Sequence, residues 1–325
     1  MTILITGGAG FVGNNLVRKL SQQDEEITIF DNLSNGRDEN LTDLKKLENI
    51  TFQQGDIRND SDLEILFKTK YDYVFHLSAI VGVSHYMDDP LKVVDVNVIG
   101  TKKILEYCMK QNAKIVFMST SEIYGKNPKI PWSETDDRVL GNPQISRWSY
   151  SSSKAVCEHM ISALTEQKKL RSSVMRYFNI YGPWQNSNFV ISGALHKALN
   201  DKKPTIFDSG NQTRCFTYID DAINATIKAA FNEKYNGEVF NIGNSVETSV
   251  RDAIKIVLDE TNHSSDFVEQ IDTIKKYGKS YEDISRRVPD VSKAKQLLNW
   301  EASTQLREGI NHTINWIKTQ PWWLK

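Results

Sequence analysis

The run Thr6-Gly7-Gly8-Ala9-Gly10-Phe11-Val12-Gly13 constrains the fold of this chain more than any other feature. It follows an apolar run at 2–6 and opens a helically spaced stretch at 11–20. Gly8, Gly10 and Gly13 satisfy GxGxxG, and Gly7, Gly10 and Gly13 satisfy GxxGxxG. Glycines here permit a tight turn, close approach of backbone to phosphate, and close packing of helix on strand. The helix N-terminus, at Phe11 and Val12, favours an anion. Glycine spacing alone is weak evidence, and the strand before it and the helix after it supply the context that gives it meaning.

The rest of the chain agrees with that start. Apolar runs at 26–30, 50–54, 73–76, 114–118 and 172–177 read as strands, and 91–111 and 148–169 have helical spacing. Such alternation implies an α/β, Rossmann-like, doubly wound parallel sheet. After residue 178 the pattern loosens, punctuated by Gly182-Pro183, Pro204 and Gly210-Asn211. The expected organisation is a dinucleotide-binding domain over 1–178, rejoined by the chain around 214–241. A smaller C-terminal α/β substrate lobe then occupies most of 179–325.

Composition excludes several function classes. Forty Lys and Arg against 41 Asp and Glu leave a net charge of -1, and there is no long basic run, so neither nucleic acid nor a membrane surface is an expected partner. No apolar stretch approaches the roughly 20 residues of a membrane span. Cys108, Cys157 and Cys215 form no CxxC, and the six histidines lack ligand spacing, so no metal is expected. The first strand begins at once, leaving no room for a signal peptide, and a cytoplasmic location is expected.

Asp31 ends the second strand run. A carboxylate there can accept ribose hydroxyls and repels a 2′-phosphate, which favours NAD over NADP. Asp56-Ile57 ends the third, where an acid can meet the adenine amino group and an isoleucine cover its face; a turn-forming Asp is the equal alternative. Downstream lies Tyr150-Ser151-Ser152-Ser153-Lys154, a Tyr and a Lys one helical turn apart. A phenol titrates near ~10, so it is a poor base until a nearby cation lowers that value. Thr120, Ser121 and Glu122 follow an apolar strand run; Thr120 can bond the same substrate hydroxyl, with Ser121 and Glu122 deeper along the substrate.

With TGGAGFVG, GDI, YSSSK, RYFNIYGP, QTRCFTYIDDA and RRVPDVSKAKQLLNW all in place, the chain resembles the extended short-chain dehydrogenase/reductase superfamily over essentially its full length. Those proteins are NAD-dependent nucleotide-sugar epimerases, dehydratases and decarboxylases. The resemblance implies a nucleotide sugar, UDP-linked by preference, oxidised at C4, and a homodimer through a four-helix bundle formed by 91–111 and 148–169. It adds Asn32, Leu77 and Ala79 to the cofactor residues and Val81 to the substrate residues.

Thr120-Ser121-Glu122 argues against a simple 4-epimerase, which usually has a small residue in place of Glu122, and leaves 4,6-dehydratases and UDP-glucuronate decarboxylases. Tyr86 four before Pro90, the run Ser146-Arg147-Trp148-Ser149-Tyr150, and Tyr277-Gly278-Lys279-Ser280-Tyr281 through Arg287 resemble the decarboxylases. In particular they are similar to the decarboxylase domain of the polymyxin-resistance enzyme. That likeness implies catalytic roles for Glu122 and Arg287, and substrate contacts from Tyr86, Thr120, Ser121, Arg147, Asn179, Arg214 and Tyr281. Arg287 suits a bidentate carboxylate clamp, or else the diphosphate. The expected reaction is decarboxylation of UDP-glucuronate to a UDP-4-keto-pentose or UDP-xylose, with a 4,6-dehydratase and then a 4-epimerase as alternatives. A non-catalytic NAD-sensing scaffold would keep the fold, and the intact Tyr150, Lys154 and Thr120 argue against it. Ser78 where Ala is commoner, and Trp184 where Arg is usual, are the departures.

Overall fold

A computed structural model of the chain describes residues 1–277 and 282–325. They divide into two compact units, one of Met1–Ile123, Asn142–Tyr177 and Ile223–Phe240, the other of Tyr124–Gly141, Phe178–Ala222 and Asn241–Lys325.

The first unit is built on a parallel sheet. Its strands are β1 (Thr2–Thr6), β2 (Glu26–Asp31), β3 (Ile50–Gln54), β4 (Tyr73–His76), β5 (Lys114–Thr120) and β6 (Ser172–Tyr177). A further strand, Glu238–Ile242, lies at the outer edge beside β6, and the order across the sheet is Glu238–Ile242, β6, β5, β4, β1, β2, β3. Ile3, Leu4 and Ile5 are all buried, as a strand covered on both faces requires. The order reverses between β1 and β4, whose carboxyl ends flank the crevice where ligands bind in doubly wound sheets. The glycine turn sits at that point.

The helices of this unit are α1 (Phe11–Leu20), α2 (Asp60–Leu66), α3 (Val83–Asp88), α4 (Pro90–Val94), α5 (Thr101–Gln111) and α6 (Arg147–Lys168). On α1, Gly13, Leu16, Val17 and Leu20 form the buried stripe, with Arg18 and Lys19 in the last turn facing the negative end of the helix dipole. Asn112 and Lys169, both at positive φ, end α5 and α6 in left-handed caps. The stretch 91–111 is not one regular helix: Asp95–Gly100 is a π-helical segment between α4 and α5. The wide turn lets the buried Asn97 side chain bond Ile80 of the β4–α3 loop, and Gly100 packs where a Cβ would lie 2.4 Å from Ile57 Cδ1. Hydrophobic periodicity cannot separate such a segment from an α-helix.

In the second unit, helices Val190–Ala198 and Leu306–Thr319 pack on Val250–Glu260. Strand Thr213–Arg214 lies between Thr248–Ser249, antiparallel, and Arg286–Arg287, parallel. The excursion 124–141 belongs to this unit: Trp132 stacks on Tyr124, and the Tyr124 hydroxyl donates to Asn241 Oδ1 at 2.8 Å. Trp184, Trp316, Trp322 and Trp323 form an aromatic cluster, and Trp323 Nε1 donates to the Gln185 carbonyl.

Candidate active site

The glycine turn holds itself in shape through its own backbone. Gly7 N–H donates to the Phe30 carbonyl and Gly10 N–H to the Gly7 carbonyl, with Gly7 at φ +73°. A Cβ on Gly13 would lie 2.3 Å from Gly7 O, and one on Gly7 would lie 2.8 Å from Ser78 N, so the turn presses against both α1 and the end of β4. The N-terminus of α1, with Gly10 as its N-cap and no side-chain cap, follows directly on this turn, so the first N–H groups at Phe11 and Val12 are not taken by a capping side chain. Asp31 accepts from Ala9 N–H at 3.0 Å and from Leu33 N–H at 2.8 Å. Burial raises its pKa, and the two N–H donors work against that shift.

Asp56 accepts from Arg58 and from Asn32 Nδ2, and Arg58 holds its carboxyl well below the usual range. Ile57 is buried against Gly100. Leu77, Ala79 and Val81 are half-buried in the loop leaving β4. Glycine turn, helix N-terminus and the Asp31 carboxylate at the end of β2 together fit a dinucleotide.

Around the tip of β5 the first unit gathers several of the candidate residues. Helix α6 carries Arg147, Tyr150 and Lys154, and the tip of β5 leads through Thr120 to Ser121 and Glu122. Lys154, 3% exposed, donates from Nζ to the Met118 carbonyl at 2.8 Å and lies 4.5 Å from the Phe117 ring centre. Burial pulls its pKa from 10.5 to about 8. Tyr86, from α3, stacks on the Tyr150 ring at 5.6 Å with the planes 13° apart. The buried Arg147 guanidinium lies 3.4 and 3.5 Å from the two Glu122 oxygens. Ser151 Oγ donates to the Glu122 carbonyl, and Thr120 Oγ1 accepts from Glu122 N–H, so the Glu122 backbone is held from both sides. A phenol, a buried ammonium, a hydroxyl and a paired carboxylate collected in this way can move protons at more than one substrate atom.

Two contributors were missed in the sequence. Asn97 Nδ2 donates to Ser153 Oγ at 3.0 Å, and Ser153 Oγ donates to the Tyr150 carbonyl at 2.8 Å. Asn97 thereby ties the β4–α3 loop to the helix that carries Tyr150. The available signal was an Asn between Val96 and Val98 in an apolar helical stretch.

The second unit holds the remaining candidates. Arg214 and Arg287 are register partners on adjacent parallel strands, both buried. Arg214 Nη2 reaches Asp283 at 3.0 and 3.1 Å. Asn179 is at φ +43°, and its buried Oδ1 has no hydrogen-bond partner among the described residues. Tyr281 lies outside the described residues. Two guanidiniums side by side and an unsatisfied amide oxygen suit a polyanionic ligand with hydroxyls.

A family model described as GDP-mannose 4,6 dehydratase matches residues 4–313. The UDP-N-acetyl-alpha-D-glucosaminuronate decarboxylase of Bacillus cytotoxicus is 36% identical over 318 residues, 97% of this chain and 97% of that protein. The UDP-glucuronic acid decarboxylase 1 of Xenopus tropicalis is 33% identical over 320 residues, 98% of this chain and 72% of that one. The solved structure of dTDP-glucose 4,6-dehydratase from Bacillus anthracis in complex with NAD matches with a TM-score of 0.88 at 27% identity, covering 100% of both chains. The chain belongs to the GDP-mannose 4,6-dehydratase family, with the extended short-chain dehydrogenase/reductase fold. It is an NAD-dependent nucleotide-sugar enzyme. Among the described residues no helix is long and apolar enough to cross a membrane.

Proposed function

Proceeding from that membership, we propose that the protein decarboxylates a UDP-linked hexuronic acid after oxidation at C4. The observation that carries this reading is the buried Glu122–Arg147 pair, borne by the same β5 tip and α6 helix as Thr120, Tyr150 and Lys154. The glycine turn, the α1 N-terminus and Asp31 would hold NAD, which would supply a reversible hydride acceptor for C4. Tyr150 takes the proton from the C4 hydroxyl, Lys154 favours the phenolate by its charge, and Thr120 bonds the same oxygen. Tyr86 fixes the Tyr150 ring by stacking. With a ketone at C4, the bond from C5 to the carboxylate breaks, CO2 leaves, and the electron pair passes to the C4 oxygen as an enolate. C5 then takes a proton, and Glu122, or a water it holds, supplies it. Arg287 is the candidate cation for the carboxylate or the diphosphate, and Arg214, Asn179 and Tyr281 are the candidates for the nucleotide.

The same Glu122 could instead remove the C5 proton in a 4,6-dehydration, so the test separates the two. Purified protein with NAD is followed by NMR with UDP-glucuronate, UDP-N-acetylglucosaminuronate, UDP-glucose and GDP-mannose in parallel. Pentose signals with CO2 release from either uronate support decarboxylation and show which C2 substituent is taken. Unchanged uronates, with a 6-deoxy-4-keto or C4-inverted product from a neutral sugar, refute it.

A homodimer is part of the same reading. Leu91 is 80% exposed, and Val94, Ile99 and Val156 are exposed with it on the helical stretches that would pair across a two-fold axis as a four-helix bundle. Light scattering of Leu91→Asp should show a monomer where the parent is a dimer. The three cysteines are buried free thiols, which suits a reducing cytoplasm.

A further inference from the structure

A second, half-buried ion pair between Glu158 and Arg176 stands behind Lys154 and has no part in the chemistry above. Glu158 lies one helical turn beyond Lys154 on α6. Its carboxylate accepts the Ser119 hydroxyl and a two-pronged contact from Arg176, with Nε at 3.1 and 3.2 Å and Nη2 at 2.6 Å. Ser119 and Arg176 are register partners on β5 and β6, so two adjacent strands grip one helical carboxylate at the same level. Met118, just before Ser119, offers the carbonyl that Lys154 Nζ bonds, and Thr120 comes just after it. The helical turn 154–158 is thus pinned at both ends to consecutive residues of the strand whose tip carries Thr120, Ser121 and Glu122.

On the reading that Tyr150 and Lys154 handle the C4 proton, we propose that Glu158 is a positioning residue, fixing the height of their helix against Thr120 and keeping the Lys154 ammonium protonated by its charge. Two side chains work against the desolvation of Lys154, Cys157 and then Glu158. On α6, Tyr150 shares its face and Cys157 lies beside it with a thiol that burial pushes up. On β4, His76 is held neutral, pulled down to about 3 by burial and by Lys154 itself. On β5 there are the Phe117 ring and the Met118 carbonyl. On β6, Arg176 is a cation whose charge opposes protonation. Burial keeps the Cys157 thiol from ionising, so of the two it is Glu158 that brings a lasting negative charge against the desolvation of Lys154. A purely structural pair, each partner present to satisfy the other, would leave Lys154 unaffected.

The test uses the full chain carrying Glu158→Gln, Glu158→Gln with Arg176→Met, and Tyr150→Phe as control. Turnover of UDP-glucuronate is followed against pH. The ¹⁵Nζ signal of Lys154, identified by its loss in Lys154→Arg, is titrated without cofactor, and melting temperatures are recorded. In Glu158→Gln the Lys154 titration and the upper pH limb of kcat should both move down by about one pH unit. That corresponds to roughly tenfold lower kcat near the limb, with KM changed less than about twofold. In the double variant the charges balance again, so the titration should return most of the way while kcat stays below the parent because the pin is gone. An unmoved Lys154 titration in Glu158→Gln, whatever happens to melting, overturns the proposal, as does full parental kcat in the double variant. Undiminished turnover in Tyr150→Phe would instead overturn the catalytic reading, and the NMR titration would still decide whether Glu158 acts on Lys154.

Discussion

Replacing Lys154 with Met should change stability little at neutral pH, remove a rise in stability toward high pH, and abolish activity. Lys154 is buried, and burial lowers its pKa from 10.5 to about 8. The gap corresponds to about 3 kcal/mol by which the folded state disfavours the charged side chain at pH 7. Methionine fills nearly the same volume without a charge, but it leaves the Met118 carbonyl without its donor, at a cost of ~1–3 kcal/mol. The net change at pH 7 is therefore small, and its pH dependence is the sharper quantity. Between about pH 8 and 10.5 the unfolded chain binds a proton at Lys154 that the folded protein does not. Parental stability therefore rises with pH through that window, and the variant lacks this contribution. From pH 7 to pH 9.5 the parent should gain roughly 2 kcal/mol on the variant. Urea unfolding of both proteins at the two pH values measures the difference, and turnover should fall at least about a hundredfold. A stability difference that stays constant across the range, or moves the other way, would refute a buried, desolvated ammonium at this position.

Tyr150→Phe should lower turnover by at least about a hundredfold without loss of NAD binding, measured by steady-state kinetics and cofactor titration; near-normal turnover would remove the phenol from the mechanism. Glu122→Gln should slow CO2 release more than C4 oxidation, read as transient reduced cofactor in stopped flow, and equal loss of both would mean that Glu122 only shapes the pocket. Gly13→Ala puts a Cβ 2.3 Å from Gly7 O and 2.7 Å from Gly8 Cα, so the turn must open. Overpacking of ~1–3 kcal/mol predicts NAD affinity lowered by roughly tenfold or more in calorimetry, and unchanged affinity would mean that the turn does not cradle the cofactor.

Much of the site's inventory could be read from local pattern. The glycine turn, Asp31 at a strand end and the spacing of Tyr150 and Lys154 are short-range features whose meaning depends on one strand and one helix. The strand ends were legible only approximately: β5 continues to Thr120, two residues past the apolar run, because β6 pairs with it to Tyr177. The π-helical segment Asp95–Gly100 was not legible, since its apolar spacing is the same as a helix's and only the bond from Asn97 to Ile80 shows what the wide turn is for. Nor was the excursion 124–141, which is defined by Trp132 and Tyr124 packing together and by Asn241 far along the chain.

The sequence by itself determined which chemistries were available: a dinucleotide turn, an acid to face a ribose, a phenol with an ammonium one turn away, and a carboxylate after the central strand. These follow from backbone geometry and residue type over a few positions, where spacing along the chain is spacing in space. Only the tertiary structure decided the electrical state of those groups. Lys154 is drawn toward neutrality because sheet and helix exclude water from it. Glu122 meets a buried Arg147, Arg58 holds the Asp56 carboxyl below its usual range, and Arg214 meets Arg287 because two short strands pair in parallel. Desolvation and charge pairing depend on which distant segments close over a side chain, and that is settled by packing rather than by local pattern.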